Sequence, residues 1–414
     1  MIRKSIACIF LLFSIIIFAQ DGSPSPYSFY GIGEVRFKGT FENRAMGGVS
    51  VFSDSIHINL QNPASLAALK LTTFSIATST SETRLITNTA NELAKRSAID
   101  YVMLAFPIGK FGTTVGLLPY SSVGYKINAN TTGVNFREFT GTGGMNKFFM
   151  GVGYKLNKNF NVGLKIDYNF GRISTLNIFT QNGIQFATKE LNTSDMTGAN
   201  YNLGLMYASK LKNNLDIYGS MTFQPESNLK VTNSRNISTV FYSPTQGEIP
   251  QDSQNIAVDN KVIKLPSRLS VGGGVGKARK WALGTEIVFQ QSNSFSNRFN
   301  DITNVSYKNG FMYSLGGFYI PKYTSFRTYF SRITYRGGMR FENTGLVIEN
   351  KTITDTAVTL GFGLPVGTRF SNINIGVEYG RRGTKAANLI EERYINFTLS
   401  LSLSDIWFVK SKFN

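Results

Sequence analysis

Cysteine and histidine are nearly missing from these 414 residues: one of each, Cys8 and His57. Cys8 lies in an apolar run from Ile6 to Phe18, preceded by Arg3 and Lys4 and followed by Ala19-Gln20. That layout predicts a secretory signal over residues 1–19, cleaved after Ala19. A mature chain without thiols excludes a disulfide framework, a thiolate metal site and a cysteine nucleophile. With His57 as the single imidazole, acid–base chemistry lacks its usual base. Ser53 and Ser55 lie nearby, but nothing suggests an oxyanion hole, so no enzyme is expected. Neither a metal nor a cofactor is expected, since histidine and acids never fall at ligand spacing. No later segment approaches 18 consecutive apolar residues, which excludes a helical membrane protein. Charged residues are scarce at 16%, and the formal net charge of +18 becomes +16 once Arg3 and Lys4 leave. The basic residues are dispersed rather than clustered, which argues against nucleic acid. Outer-membrane lipids, lipopolysaccharide phosphates or an acidic partner suit them better.

What the chain does have is glycine (40), phenylalanine (33), tyrosine (19) and a two-residue rhythm. In Asn159 to Phe170, Phe160, Val162, Leu164, Ile166, Tyr168 and Phe170 share one face, and Asn161, Gly163, Lys165, Asp167 and Asn169 the other. A strand crossing a bilayer at a tilt needs roughly 9–11 residues. Segments of this kind are predicted near 72–80, 98–108, 111–122, 144–155, 159–172, 198–209, 214–223, 266–276, 281–291, 310–320, 328–341, 354–365, 370–381 and 392–403. Short joints at 109–110, 157–158, 211–213, 277–280, 321–327 and 366–369 alternate with long ones at 81–97, 123–143, 173–197, 224–265, 292–309, 342–353 and 382–391. Each short joint carries Lys or Arg. Short periplasmic turns and long external loops define an outer-membrane barrel. The expectation is an all-β, 14-stranded antiparallel transmembrane β-barrel over residues 72–414 in the bacterial outer membrane. Residues 20–71 do not alternate and are predicted to form an N-terminal hatch.

Alternation also assigns the interior. Lys165, Asp167, Asp216, Glu286, Arg332, Arg336, Arg340 and Glu378 are predicted to face the lumen. Ile217, Ile287, Ile333, Tyr335, Met339 and Val377 would then face lipid, where a charge at mid-depth costs about 2–4 kcal/mol. These charges either pair to hold the wall and hatch, or Arg332 or Arg336 receives a substrate carboxylate through two parallel hydrogen bonds. Pro119 is the one proline in a predicted strand interior. Without an N–H it either forces a break or bulge in the third strand or ends that strand early. Gly272 to Ala278 mimics a phosphate loop, but Val271 stands where its first glycine belongs and Ala278 where its hydroxyl belongs. These glycines are expected to admit a close neighbour instead.

Ala45-Met46-Gly47-Gly48-Val49-Ser50-Val51, followed by His57 to Ala67 with the Asn62-Pro63-Ala64 box, resembles the opening of the FadL long-chain fatty acid transporter family. Leu265 to Gly273, Trp281-Ala282-Leu283 and Tyr335 to Arg340 resemble its middle strands. Ser25 to Gly31 and Ile406 to Lys410 look like its Bacteroidota branch, although this chain stops at Asn414 without the family's terminal aromatic. The resemblance implies a hatch-filled barrel, hatch residues Asn62, Pro63 and Ala64, and a lateral gap at the third strand, where Pro119 lies. It also implies passive uptake of a hydrophobic, long-chain fatty acid-like molecule that leaves sideways into the bilayer. A second expectation is an accessory or scaffold barrel of a secretion complex, type IX-like, with the basic rim and the long fourth loop as docking surfaces.

Overall fold

A closed antiparallel barrel of fourteen strands accounts for nearly the whole chain. The computed structural model describes residues 23–131, 135–211, 214–243, 247–299, 302–325, 327–366 and 371–406. The predicted signal with Cys8, and the tail from Trp407, lie outside the described residues. The strands are β1 (Thr72–Ile86), β2 (Asn91–Ile108), β3 (Phe111–Val123), β4 (Asn135–Lys155), β5 (Phe160–Gln181), β6 (Phe186–Lys210) and β7 (Asp216–Gln224). They continue as β8 (Ser267–Lys277), β9 (Trp281–Gln291), β10 (Gly310–Tyr319), β11 (Thr334–Ile348), β12 (Lys351–Val366), β13 (Ser371–Gly383) and β14 (Glu391–Asp405). Each pairs with its sequence neighbour, and β1 pairs with β14 from Thr72↔Asp405 to Ile86↔Glu391. Where the ladders are continuous, closure leaves no sheet edge to be satisfied by lipid.

The alternation sorts as physics requires. On β5, Leu164, Ile166 and Tyr168 are exposed outward, while Lys165, Asp167 and Asn169 are buried inside. Leu203, Leu283, Val358, Leu360 and Phe397 extend the outer apolar band around the barrel.

Four expected long loops are instead mostly strand. β1 and β2 meet across residues 87–90, β5 and β6 across 182–185, and β11 and β12 at Glu349-Asn350, while within 123–143 a strand Lys126–Thr131 pairs with the start of β4. Strands β4, β5 and β6 run 21, 22 and 25 residues, about twice what a bilayer crossing requires. The fourth expected loop, 224–265, also carries sheet. Pro225 and Pro266 interrupt β7 and β8 at one level. Beyond them Ser227–Ser243 pairs with the far half of β6, with Gly247–Ile256 and with Lys261–Leu265. The joint expected at 321–327 is longer, spanning 320–333 with a 3-10 turn at Tyr329–Arg332.

Residues 23–71 run through the barrel interior with little regular structure. They form a 3-10 turn at Pro26–Phe29, a two-residue strand Glu34–Val35, one helical turn at Phe41–Arg44 and a 3-10 turn at Pro63–Ala68. Ser23 begins against Ser122 near the external end of β3, and the segment descends to β1 at the short-turn end.

Candidate functional site

The barrel wall is interrupted between β2 and β3. Their ladder runs only over Val102–Ile108 and Phe111–Leu117. Leu118 to Val123 have no partner on β2. Toward β4 the register jumps from Pro119↔Asn146 to Ser121↔Met145, so Tyr120 is an extra, bulged residue. Pro119 has no N–H to offer a neighbour, and the wall parts where that donor is missing. It does not end the strand, which continues to Val123. The freed edge is occupied from inside. Glu34 and Val35 pair with Ser122 and Ser121, the Arg36 N–H donates to the Tyr120 carbonyl at 2.9 Å, and Ser121 Oγ donates to the Ile32 carbonyl at 2.6 Å.

A cavity of about 260 Å³ lies beside this break. Ile32, Phe37, Leu60 and Leu118 give it an apolar side; Lys147, Lys165 and Asp167 give it a charged one. Asp167 is 3.4 Å from the Lys147 ammonium and 3.2 Å from that of Lys165, and it accepts from Asn200 Nδ2 at 2.9 Å. Two ammonium groups sharing one carboxylate leave this wall net positive.

The lower half of the N-terminal segment sits in a socket of glycines. A Cβ on Gly316 or Gly338 would lie 2.1 or 2.2 Å from the Met46 backbone, and one on Gly163 would lie 2.3 Å from Pro63. Gly272 faces Val51 and Gly274 faces Phe52 in the same way, so the glycine run of β8 serves close approach. The Asn62-Pro63-Ala64 box is fixed on both sides. Asn62 Oδ1 accepts the Ala64 N–H at 3.0 Å, capping the Pro63–Ala68 turn. Its Nδ2 donates to the Leu205 carbonyl at 3.1 Å and to Ser220 Oγ at 2.8 Å on β6 and β7. Ala64 is fully buried, and its backbone N–H would lie 2.4 Å from a Cβ on Gly163.

An ionic clasp joins the segment to the far wall. Arg44 Nε donates to Glu378 at 2.8 Å, and Arg340 donates to the other oxygen of Glu378 at 2.8 Å. Arg382 bridges Asp355, at 3.1 Å, to Glu34 of the segment. Asp355 also accepts from Tyr394 at 2.6 Å. Glu286 accepts from the Ser50 backbone at 2.6 Å and from the Ser50 hydroxyl.

The predicted interior residues therefore divide. Lys165, Asp167 and Glu286 line the large cavity; Arg340 and Glu378 form the clasp. Arg336 is buried beneath the segment, with Nη1 unbonded among the described residues. Two residues fall elsewhere. Asp216 is buried at the short-turn rim, where it accepts the Ala278 N–H at 2.9 Å, and does not line the cavity. Arg332 belongs to the 3-10 turn before β11 and stacks on Tyr329, 5.4 Å from its ring centre. The two-residue rhythm starts only at Thr334, so Arg332 is off the Arg336–Arg340 ladder and Ile333 is buried rather than lipid-facing. Lys147, Asp355, Arg382 and Tyr394 were not among the predicted residues. Lys147 shares its strand face with Met145 and Phe149, and Asp355 with Ala357 and Thr359, so the alternation held the signal.

The architecture is a closed fourteen-stranded antiparallel β-barrel with its N-terminal segment running through the interior. Solved structures of similar fold include the Ralstonia pickettii toluene transporter TbuX, at 13% identity and TM-score 0.59, covering 88% of this chain and 97% of that one. The Pseudomonas putida toluene transporter TodX matches at 14% identity and TM-score 0.58, over 90% and 98%. A Pseudomonas aeruginosa FadL homologue matches at 13% identity and TM-score 0.54, over 90% and 98%. At such identities the likeness is one of fold. The chain belongs to the BamG family, whose model matches residues 1–414. No curated protein matches the sequence.

Proposed function

We propose that this protein is an outer-membrane barrel that passively admits a hydrophobic molecule bearing a small polar head and releases it sideways through the β2–β3 break. The observation that carries this is the ladder ending at Val102↔Leu117, with the freed edge of β3 stoppered by Glu34–Val35 rather than by another wall strand. Residues 20–71 act as the hatch, with Asn62, Pro63 and Ala64 as its lower anchor and Pro119 marking the exit. Opening requires only Ile32 to Arg36 to leave β3, because the glycine socket keeps the lower half in place. Lys147, Lys165 and Asp167 orient the polar head, while Arg340 and Glu378 hold the hatch. The similar fold of hydrocarbon transporters supports this reading. Uptake of labelled long-chain fatty acids and of toluene by cells with and without the gene tests it. Equal uptake of both would count decisively against it.

A second reading is favoured by the sheet that β4 to β6 carry beyond the membrane-crossing length. It ends in Gly247–Ile256, a strand that among the described residues is paired on one side only. In that reading the barrel anchors an accessory subunit of a secretion or assembly complex. Extraction in mild detergent separates the two: a stoichiometric large partner favours the scaffold, and a lone barrel with bound lipid favours transport.

A further inference from the structure

A second, smaller cavity lies against the N-terminal segment and shares Glu34, Val35, Lys38 and Arg382 with the one assigned to transport. Its volume is about 60 Å³, its lining is polar, and Arg96 of β2 projects into it. A water position needs about 10–15 Å³, so the space matches roughly four to six waters, or one oxyanion.

Arg96 is 8% exposed, and its Nε has no hydrogen-bond partner. Among the described residues, no carboxylate lies within ion-pair distance of it. Every acid around the cavity is already engaged. Asp100 serves Arg36 at 3.6 Å and Arg44 at 3.5 Å; Glu378 serves Arg44 and Arg340; Glu342 serves Lys38 at 2.5 Å. Glu34, Asp355 and Glu392 surround Arg382. A guanidinium buried without a counter-charge is costly, and a bound anion removes that cost.

The wall supplies the rest of a site. Register aligns Arg96 with Ser81 on β1, and Ser81 with Asn396 on β14. Thr83 lies two residues along β1, its hydroxyl 3.3 Å from that of Ser81. A guanidinium fork beside hydroxyl and amide donors is the chemistry that recognises a phosphate, sulfate or carboxylate.

We infer that Arg96, with Ser81, Thr83 and Asn396, forms a binding site for one small oxyanion between the N-terminal segment and strands β1, β2 and β14. The site uses neither Lys147 nor Lys165 and does not require transport, although Glu34, Arg340 and Glu378 of the hatch contacts also line its cavity. The bound ion completes the packing of the external half of the segment.

The test uses the full-length barrel purified in a neutral detergent, with thermal unfolding followed on titration with inorganic phosphate and, separately, with phosphatidylglycerol. Phosphate is expected to raise the midpoint of the wild type and to leave Arg96→Gln unmoved. Arg96→Lys keeps the charge but loses the fork, and its apparent affinity should fall about tenfold. A response to phosphate identifies a free ion. A response to phosphatidylglycerol alone, again lost in Arg96→Gln, identifies a lipid headgroup. If the wild type responds to neither, the inference fails whether or not the variants fold. An undiminished response in Arg96→Gln overturns it equally.

Discussion

Lys147 holds its ammonium 3.6 Å over the ring of Tyr120, the residue that the Pro119 bulge leaves without a partner on β4. The contact fastens the bulge to the inner wall at the point where β2 and β3 part. A desolvated cation–ring contact contributes about 2 kcal/mol. Tyr120→Phe keeps the ring face and should leave barrel permeability unchanged. Tyr120→Ala should release the Lys147 end and raise leakage of a small hydrophobic dye through reconstituted barrels several-fold. Equal leakage in the two variants would show that the contact does not hold the seal.

Glu378 is the centre of the clasp, with Arg44 of the N-terminal segment on one oxygen and Arg340 of β11 on the other. Glu378→Gln removes the charge while keeping the shape, leaving two buried guanidinium groups to share Asp100 and Asp355. Breaking a buried pair in this way costs about 3–5 kcal/mol. The expected result is a barrel that still migrates as folded on unheated gels but exposes Lys38 and Arg44 to trypsin. Glu349→Gln, on the exposed β11–β12 turn, is the control and should behave as wild type.

Neighbouring glycines on β11 offer a test of the socket. A Cβ on Gly338 would fall 2.2 Å from the Met46 backbone, whereas one on Gly337 points outward with its nearest atom at 3.6 Å. Gly338→Ala should therefore cost about 1–3 kcal/mol through overpacking. Gly337→Ala should be close to neutral. Thermal unfolding in detergent compares them directly, and equal midpoints would mean that the segment is not seated as described.

The strands were legible because lipid outside and polar packing inside impose opposite demands on adjacent residues, as Ile166 and Asp167 show. That contrast fades once the sheet leaves the bilayer. Thr188 to Thr197 on β6 and Thr232 to Thr239 after β7 are mostly polar on both faces, with Leu191, Met196 and Ile237 as exceptions, so they read as loops although they pair as strands. Arg332 was misplaced for the converse reason: a basic residue two steps from a strand looks like its continuation until a 3-10 turn intervenes. The interior partners of Arg340 and Glu378 come from residues far apart in sequence. Alternation fixed that they face inward; Asp355 lies on the strand between them, but Arg44 reaches them only because the N-terminal segment runs through the barrel. The close fit of Met46 and Pro63 against single glycines was likewise invisible, because a glycine in a strand carries no mark of what approaches it.

His57, the sole histidine, joins the N-terminal segment to the short-turn end of the barrel. Its Nδ1 is 2.6 Å from Asp54, its Nε2 is 3.8 Å from Glu42, and Nε2 also meets Asn372 of β13 at 3.3 Å. Burial alone would lower the imidazole pKa, but Asp54 and then Glu42 outweigh it and raise the value above 6.5. Burial would likewise raise Asp54, yet the facing imidazolium brings it down to about 2. The signs then differ for the two partners. The His57 share of stability is complete below about pH 6.5 and is lost as pH rises through its folded value. The Asp54 share is complete above its ordinary 3.8 and is lost only as pH falls toward about 2. The pair is thus strongest between about pH 4 and about pH 6.5. Since the Asp54 side chain is 47% exposed, solvent keeps the gain modest. A single imidazole resonance makes the titration directly readable by NMR. The expected pKa lies above 6.5 in the wild type and drops in Asp54→Asn, with Glu42→Gln giving a smaller drop. A value at or below 6.5 in the wild type would remove the ion pair from this account, leaving Asn372 alone to hold His57 to the wall.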